Sequence, residues 1–371
     1  MTEDTMMENM DQTPWEPENT AMETGETAGT DVLLDEASAA RGMKRQYNRI
    51  GWALVAVVFV WQALMLLVGL VMSGIELATG LAAVDAYYRY LLLINEATLA
   101  IGILVGAQVL RGTACHAPEK RPFSAGQFII LLCICYAVAI AGNLVGNLIL
   151  GIWNALTGRS VGSEVGEMLM ETTPLINLLT AGIMAPMLEE LLMRKLVIDR
   201  TRIYGERVCI LTSATLFALF HMNFSQMFYA FGIGLLLAYL YCRSGKIWLC
   251  MLLHAMFNCI SGVLGAEVLT RFTEILEPLA DLTEAELMEK LPEIVESHGV
   301  FILLAAFYFI AIFAMVIAGI ILLIVKAQRF QPEPGAVTLP AKSRRAAILK
   351  NSGMIAAVIV FLGFTIYSLF A

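Results

Sequence analysis

The sequence predicts an all-α fold, a polytopic transmembrane helical bundle of about eight or nine spans that encloses a polar chamber in the membrane. Three observations carry that prediction. Hydrophobic residues make up 58% of the 371 positions and charged residues only 15%, whereas soluble domains run at roughly 45–50% apolar and ~25% charged. Apolar runs recur that are long enough to cross a hydrocarbon core, which takes about 20 residues. Ionisable side chains return inside three of those runs, although each costs at least ~2.5–3.5 kcal/mol near a bilayer centre.

Taken in order, residues 1–45 are rich in Glu, Asp, Thr and Met and carry no apolar periodicity. They are expected to be a disordered acidic cytosolic tail. No cleavable signal peptide is expected ahead of the first apolar run. The predicted spans are 51–73, 90–110, 127–152, 174–198, 208–222, 226–242, 247–264, 300–326 and 352–370. The runs 208–222 and 226–242 are the shortest, and a run that short is either re-entrant or buried by its neighbours. Gly142, Asn143, Gly146 and Asn147 form a small-residue and amide stripe suited to helix–helix packing. The acidic loop 263–299 contains Thr283 and Glu286, a capping pair that predicts a short amphipathic helix. Pro332, Pro334 and Pro340 mark a linker before the last span. No internal repeat is visible, which weighs against a transporter.

Charge orients these spans. Arg41, Lys44, Arg45 and Arg49 precede the first span, which assigns the N-terminus to the cytosol. Threading nine crossings from there makes the inside loops basic: Arg111, Lys120 and Arg121, then Arg200, Arg202 and Arg207, then Arg243 and Lys246, then Lys326 to Lys350. The outside loops are acidic, and the C-terminus is expected outside. The net charge of −8 does not suggest nucleic-acid binding. Seven cysteines lie in or beside apolar runs without the spacing of a disulfide framework or a zinc site, so they are expected to pack as small hydrophobes.

The intramembrane polar residues form three clusters: Glu189-Glu190 with Arg194, Phe217 with His221, and His254 with Asn258. At about 1.5 Å per residue, Glu189 lies roughly 15 Å, His254 roughly 10 Å and His221 roughly 20 Å from the cytosolic end of its span. One chamber can therefore collect all three. Glu190 and Arg194 are i,i+4 neighbours that can pair, which leaves Glu189 free. A lone intramembrane histidine or the Glu190–Arg194 pair alone reads as packing, but three spaced clusters in neighbouring spans point to chemistry. A carboxylate and an imidazole can bind and deprotonate a water. A second imidazole and an amide can stabilise a developing oxyanion. His221, His254 and a glutamate could alternatively ligate zinc, although the helical H-E-x-x-H motif is absent. Asn95 and Glu96 in the second span receive no role.

These residues resemble the CPBP family of intramembrane endopeptidases, which includes the type II CAAX prenyl endopeptidases and the bacteriocin-processing or immunity proteins. The family pattern E-E-x-x-x-R, F-x-x-x-H and H-x-x-x-N reads here as Glu189-Glu190 to Arg194, Phe217 to His221 and His254 to Asn258. Gly232, Gly234 and Arg243 to Trp248 also resemble the family's helix and turn before the third motif. Bacterial members often carry F-R-G where this chain has Met193-Arg194-Lys195; Lys195 is expected to snorkel to the surface. The resemblance implies catalytic residues Glu189, His221, His254 and Asn258, with Glu190 and Arg194 in support. It implies Glu189 with His221 as the activators of water and His254 with Asn258 as the oxyanion donors.

The chain is thus expected to divide into the tail 1–45, N-terminal spans 46–173, a catalytic core 174–262, the acidic outer loop 263–299 and C-terminal spans 300–371. The expected function is an intramembrane endopeptidase in the cell membrane that cuts near the cytosolic face, on CAAX-type or bacteriocin-related substrates. Its partners would be a peptide or membrane-protein substrate and membrane lipids. No cofactor is expected, with zinc as the alternative. A non-proteolytic immunity or scaffold protein on the same fold is the rival from another class.

Overall fold

The computed structural model describes residues 25–159, 161–162, 164–326, 328 and 330–370. All its regular elements are helical: α1 (Gly25–Thr79), α2 (Ala83–Arg89), α3 (Leu91–Val109), α4 (Ala125–Thr157), α5 (Glu164–Glu171), α6 (Pro174–Tyr204), α7 (Glu206–Phe220), α8 (Phe224–Ser244), α9 (Ile247–Leu279), α10 (Glu284–Lys326), α11 (Ala341–Leu349) and α12 (Ser352–Tyr367). Among the described residues, seven helices are long and apolar enough to cross a membrane, or eight if the bent pair α11–α12 is one span. The chain is a multi-pass membrane protein.

The expected span 208–222 is the 15-residue α7, too short to qualify by itself. It lies buried among its neighbours, with Cys209, Ala214, Phe217 and Phe220 enclosed. α7 and α8 form an antiparallel hairpin: Cys209 meets Cys242 at one end and Gly234 meets Ala214 and Phe217 further along. α4 backs this hairpin, and Gly142 is packed so tightly against the Phe228–Tyr229 backbone that a Cβ would overlap it. The small-residue stripe of α4 is therefore a helix-crossing surface.

Two stretches differ from the sequence reading. Residues 25–45 are helical and continue into the first span as one 55-residue helix, while residues 1–24 of the expected disordered tail lie outside the described residues. The cause is tertiary. Ala39, Ala40, Met43 and Tyr47 recur at helical spacing and pack into the core. Gln46 donates to the Arg200 carbonyl at 2.6 Å and accepts from Tyr204 at 2.9 Å. The second stretch, 263–299, is a short extension of α9 followed by α10 rather than a loop with a separate helix. Thr283 and Glu286 do bond reciprocally there, but Ala, Leu and Glu-rich sequence carries the helix straight on to Lys326.

Every segment expected inside meets at one end of the bundle. Arg49 donates to the Val109 and Arg111 carbonyls. The Arg121 amide bonds the Ser244 carbonyl, and the linker 331–337 lies across 203–206 through Glu206 N–H to Glu333 O and Val337 N–H to Ile203 O. Arg121, Arg202 and Arg243 converge on Glu333. At the opposite end Trp153 and Arg159 meet Phe370, so the C-terminus sits with the segments expected outside.

Candidate active site

α6 supplies the paired glutamates, and it is not a uniform helix. Two wide π-helical stretches, Leu178–Met184 and Leu191–Ile198, flank a short α segment, Ala185–Glu190. Pro186 sits at the start of that segment. It has no N–H to return to the preceding turn and its ring crowds the carbonyl four residues back, which favours a widened turn there. π turns are uncommon and collect at functional sites. A third, Asn258–Val263, begins at the last motif residue.

Glu190 and Arg194 are fully buried and locked in a two-point ion pair, Nε to Oε2 at 2.8 Å and Nη2 to Oε1 at 3.2 Å. Arg194 also donates to Ser213 Oγ on α7 at 2.6 Å, and Ser213 returns a bond to the Met193 carbonyl at 3.2 Å. Planar guanidinium geometry makes such fork pairing possible where lysine could not serve. His254, from α9, places Nδ1 3.1 Å from Glu190 Oε1 and Nε2 3.8 Å from Glu189 Oε2. Glu189 Oε2 is buried without a hydrogen-bond partner, although the side chain as a whole is 17% exposed. One glutamate is thus committed and its neighbour is open.

His221 sits at the apex of the α7–α8 hairpin. α7 ends at Phe220, Met222 adopts a left-handed φ of 49°, and Asn223 caps α8 by accepting from the Ser225 amide. A non-glycine residue in that region is strained and persists where its surroundings hold it. His221 Nδ1 lies 2.8 Å from the Phe217 carbonyl of its own helix, which makes Nδ1 the protonated nitrogen and Nε2 the free acceptor. Asn258 donates from Nδ2 to the Ala181 carbonyl at 2.9 Å, across the two π-helical stretches. A direct Glu189–His221 hydrogen bond is absent among the described residues; the partner of the glutamates in direct reach is His254.

Phe217 is the hub that pattern matching undersells. Its ring meets His221 edge-on at 4.7 Å, His254 at 5.6 Å and the Arg194 guanidinium at 5.5 Å. Three polar residues from three helices are therefore spaced by one aromatic ring. On the far side, Trp61 stacks on Phe220 at 5.9 Å and donates to Asn95 at 3.1 Å, and Asn95 in turn donates to Glu96 at 3.1 Å. Glu96 is 6% exposed. Ser213, Trp61 and Glu96 lie outside the three motifs, and only their polarity within apolar runs could have flagged them. Lys195 does not snorkel freely: it bonds Asp199 at 2.6 Å and Tyr241 at 3.0 Å.

Several of the oxygen and nitrogen donors near the motifs are already engaged, while Glu189 and Nε2 of His254 and His221 are not. Among the described residues no group of three His, Cys, Asp or Glu side chains is arranged to hold a metal ion. Both oxygens of Glu190 are taken by Arg194, and Nδ1 of His254 is taken by Glu190.

Residues 171–260, about a quarter of the chain, match the family model described as type II CAAX prenyl endopeptidase Rce1-like. No curated protein and no solved structure gives a match. The matched segment contains all three motifs and the helices α6 to α9 that bring them together, and the match indicates a membrane protease. It supports membership of the chain in the CPBP family, through an Rce1-like domain spanning residues 171–260.

Proposed function

We propose that the chain hydrolyses peptide bonds within the membrane by a water that Glu189 and His221 activate, with His254 and Asn258 stabilising the oxyanion. The observation that carries this reading is the asymmetry of the two glutamates around His254. Glu190 is spent on Arg194 and His254, while Glu189 keeps a buried oxygen without a partner 3.8 Å from His254 Nε2. That gap is too long for a direct hydrogen bond and suits a water held beside both groups.

The residues then act as follows. Glu189 accepts a proton from the water as its oxygen attacks the carbonyl carbon, and later returns that proton to the leaving amine. His221, tied through Nδ1, offers Nε2 as the second acceptor for that water. His254 is held through Nδ1 by the Glu190 carboxylate, which turns Nε2 toward the place the oxyanion would occupy. Asn258 keeps one amide hydrogen beyond the bond to Ala181. Arg194 holds Glu190 in place through the two-point ion pair.

The substrate is a peptide segment at the membrane, with CAAX-type chains favoured by the family match. Cleavage is placed on the side where the basic loops meet, which the charge distribution assigns to the cytosol. The test is proteolysis by purified Glu189→Ala and His221→Ala proteins that melt like wild type. Loss of cleavage in both is expected; retained cleavage in either overturns the mechanism. A comparison of membrane-protein termini between wild-type and Glu189→Ala cells identifies the substrate.

A further inference from the structure

The basic end of the bundle treats its cations in two different ways. Arg121, Arg202 and Arg243 surround Glu333, and Arg49 is bound by two carbonyls. A second group is left without counter-charge. Arg41, Lys44 and Arg45 from α1 and Lys350 from the turn between α11 and α12 line one cleft of about 520 Å³, together with Asn48 and Ser352. Among the described residues, none of these four cationic side chains makes a hydrogen bond or an ion pair, and all four are exposed. Glu36, on the same helix, is engaged by Ser343 at 2.9 Å.

The cleft is built rather than accidental. Its two walls are about 300 residues apart in sequence and are clamped together by Asn48, whose Oδ1 accepts from the Gly353 amide at 2.7 Å and from Ser352 Oγ at 3.0 Å. The backbones at Gly51 and Gly353 touch so closely that a Cβ on either would overlap the other helix. Four like charges held on a fixed frame repel one another unless an anion joins them. The cleft also stands at the level where two spans enter the apolar layer. Directly beyond it, Trp52 and Ile355 are 45% and 48% exposed, and Ile359 further along is 65% exposed.

We propose that this cleft binds the headgroup of an anionic phospholipid taken from the bilayer, with its acyl chains lying along the exposed face of α1 and α12. Phosphate satisfies the four cations, and the apolar strip below them accounts for the lipid rather than a soluble phosphate. Basic pockets between transmembrane helices at the cytosolic side recognise such headgroups, at roughly fivefold in affinity per cation.

The full chain is reconstituted in phosphatidylcholine vesicles containing a minority of phosphatidylglycerol, extracted gently, and its retained lipids are counted by native mass spectrometry. Preferential retention of phosphatidylglycerol is expected, and Arg45→Ala with Lys350→Ala should lower its occupancy by roughly tenfold or more. Lys350→Gln alone, on an exposed side chain, should lower it about fivefold, which keeps the test available if the double variant folds poorly. Lys120→Ala, an exposed cation at the same end but outside the cleft, should leave occupancy unchanged. Equal retention of phosphatidylcholine, an equal loss in Lys120→Ala, or displacement of the lipid by equimolar inorganic pyrophosphate each overturns the proposal.

Discussion

His254 stands between two adjacent carboxylates and treats them differently, with Nδ1 at 3.1 Å from Glu190 and Nε2 at 3.8 Å from Glu189. The two glutamates should therefore fail in different ways when altered. Glu190→Ala leaves Arg194 buried without its partner, a loss that typically costs about 3–5 kcal/mol. Glu189→Gln removes a carboxylate whose free oxygen supports no bond, so the melting temperature should stay close to wild type while cleavage disappears. Thermal unfolding and peptide cleavage measured on both variants check the division; equal melting temperatures would contradict it.

Asn258 has one observed task and one proposed task for its amide. The bond to the Ala181 carbonyl ties the π-helical start at Asn258 to the π-helical stretch before the glutamates. Its remaining hydrogen is assigned to the oxyanion. Asn258→Ala should lower stability by about 1–2 kcal/mol and kcat by about 100-fold with little change in KM. A loss of stability without loss of kcat would reduce Asn258 to a structural tie.

Much of this architecture is legible in the sequence, and the exceptions share a cause. Apolar runs, loop charges and three polar motifs give the bundle, the grouping of its loops and the neighbourhood of the site, because lipid leaves few ways to satisfy a backbone. Residues 25–45 read as disordered because they belong to a Glu-, Asp-, Thr- and Met-rich stretch without a sustained apolar period. The helix they continue into is held just beyond them by Gln46 and Tyr47 against residues more than 150 positions away, which no local window sees. α7 reads as a span, but its 15 residues reach only as far as the hairpin apex that presents His221. The partnership of His254 with Glu190 depends on side-chain directions set by π-helical turns, and a regular helical wheel cannot supply those.

Glu333 offers a pH test outside the membrane. Its carboxyl is held below the ordinary carboxylate range, first by the hydrogen bond from Arg121 and also by the charges of Arg121, Arg243 and Arg202. A folded value lowered below the unfolded one, about 4.3, contributes stability above that unfolded value and loses it as pH falls through the folded one. The side chain is 37% exposed, so screening limits the contribution to about 1 kcal/mol or less. Glu333→Gln should lower the melting temperature slightly at pH 7, and the difference from wild type should shrink once the solution is acid enough to protonate Glu333. A difference that stays constant across that range would show that the linker 331–337 is held by its backbone bonds alone.

Phe217 joins the two imidazoles to the buried arginine, so its substitution should separate geometry from folding. Phe217→Leu keeps an apolar side chain of similar bulk, a class of change that usually costs under about 1.5 kcal/mol. The loss of the Arg194 cation–π contact adds about 0.5–2 kcal/mol. What leucine cannot reproduce is the flat wall that holds His221 at 4.7 Å and His254 at 5.6 Å from one ring. A shift of about 1 Å in a catalytic group can cost on the order of 100-fold in rate. Phe217→Leu is therefore expected to fold, to keep KM within a few-fold, and to lose roughly 10- to 100-fold in kcat. If kcat holds while only the melting temperature falls, the ring is packing for the bundle and the imidazoles are positioned by their hydrogen bonds to Phe217 O and Glu190 alone.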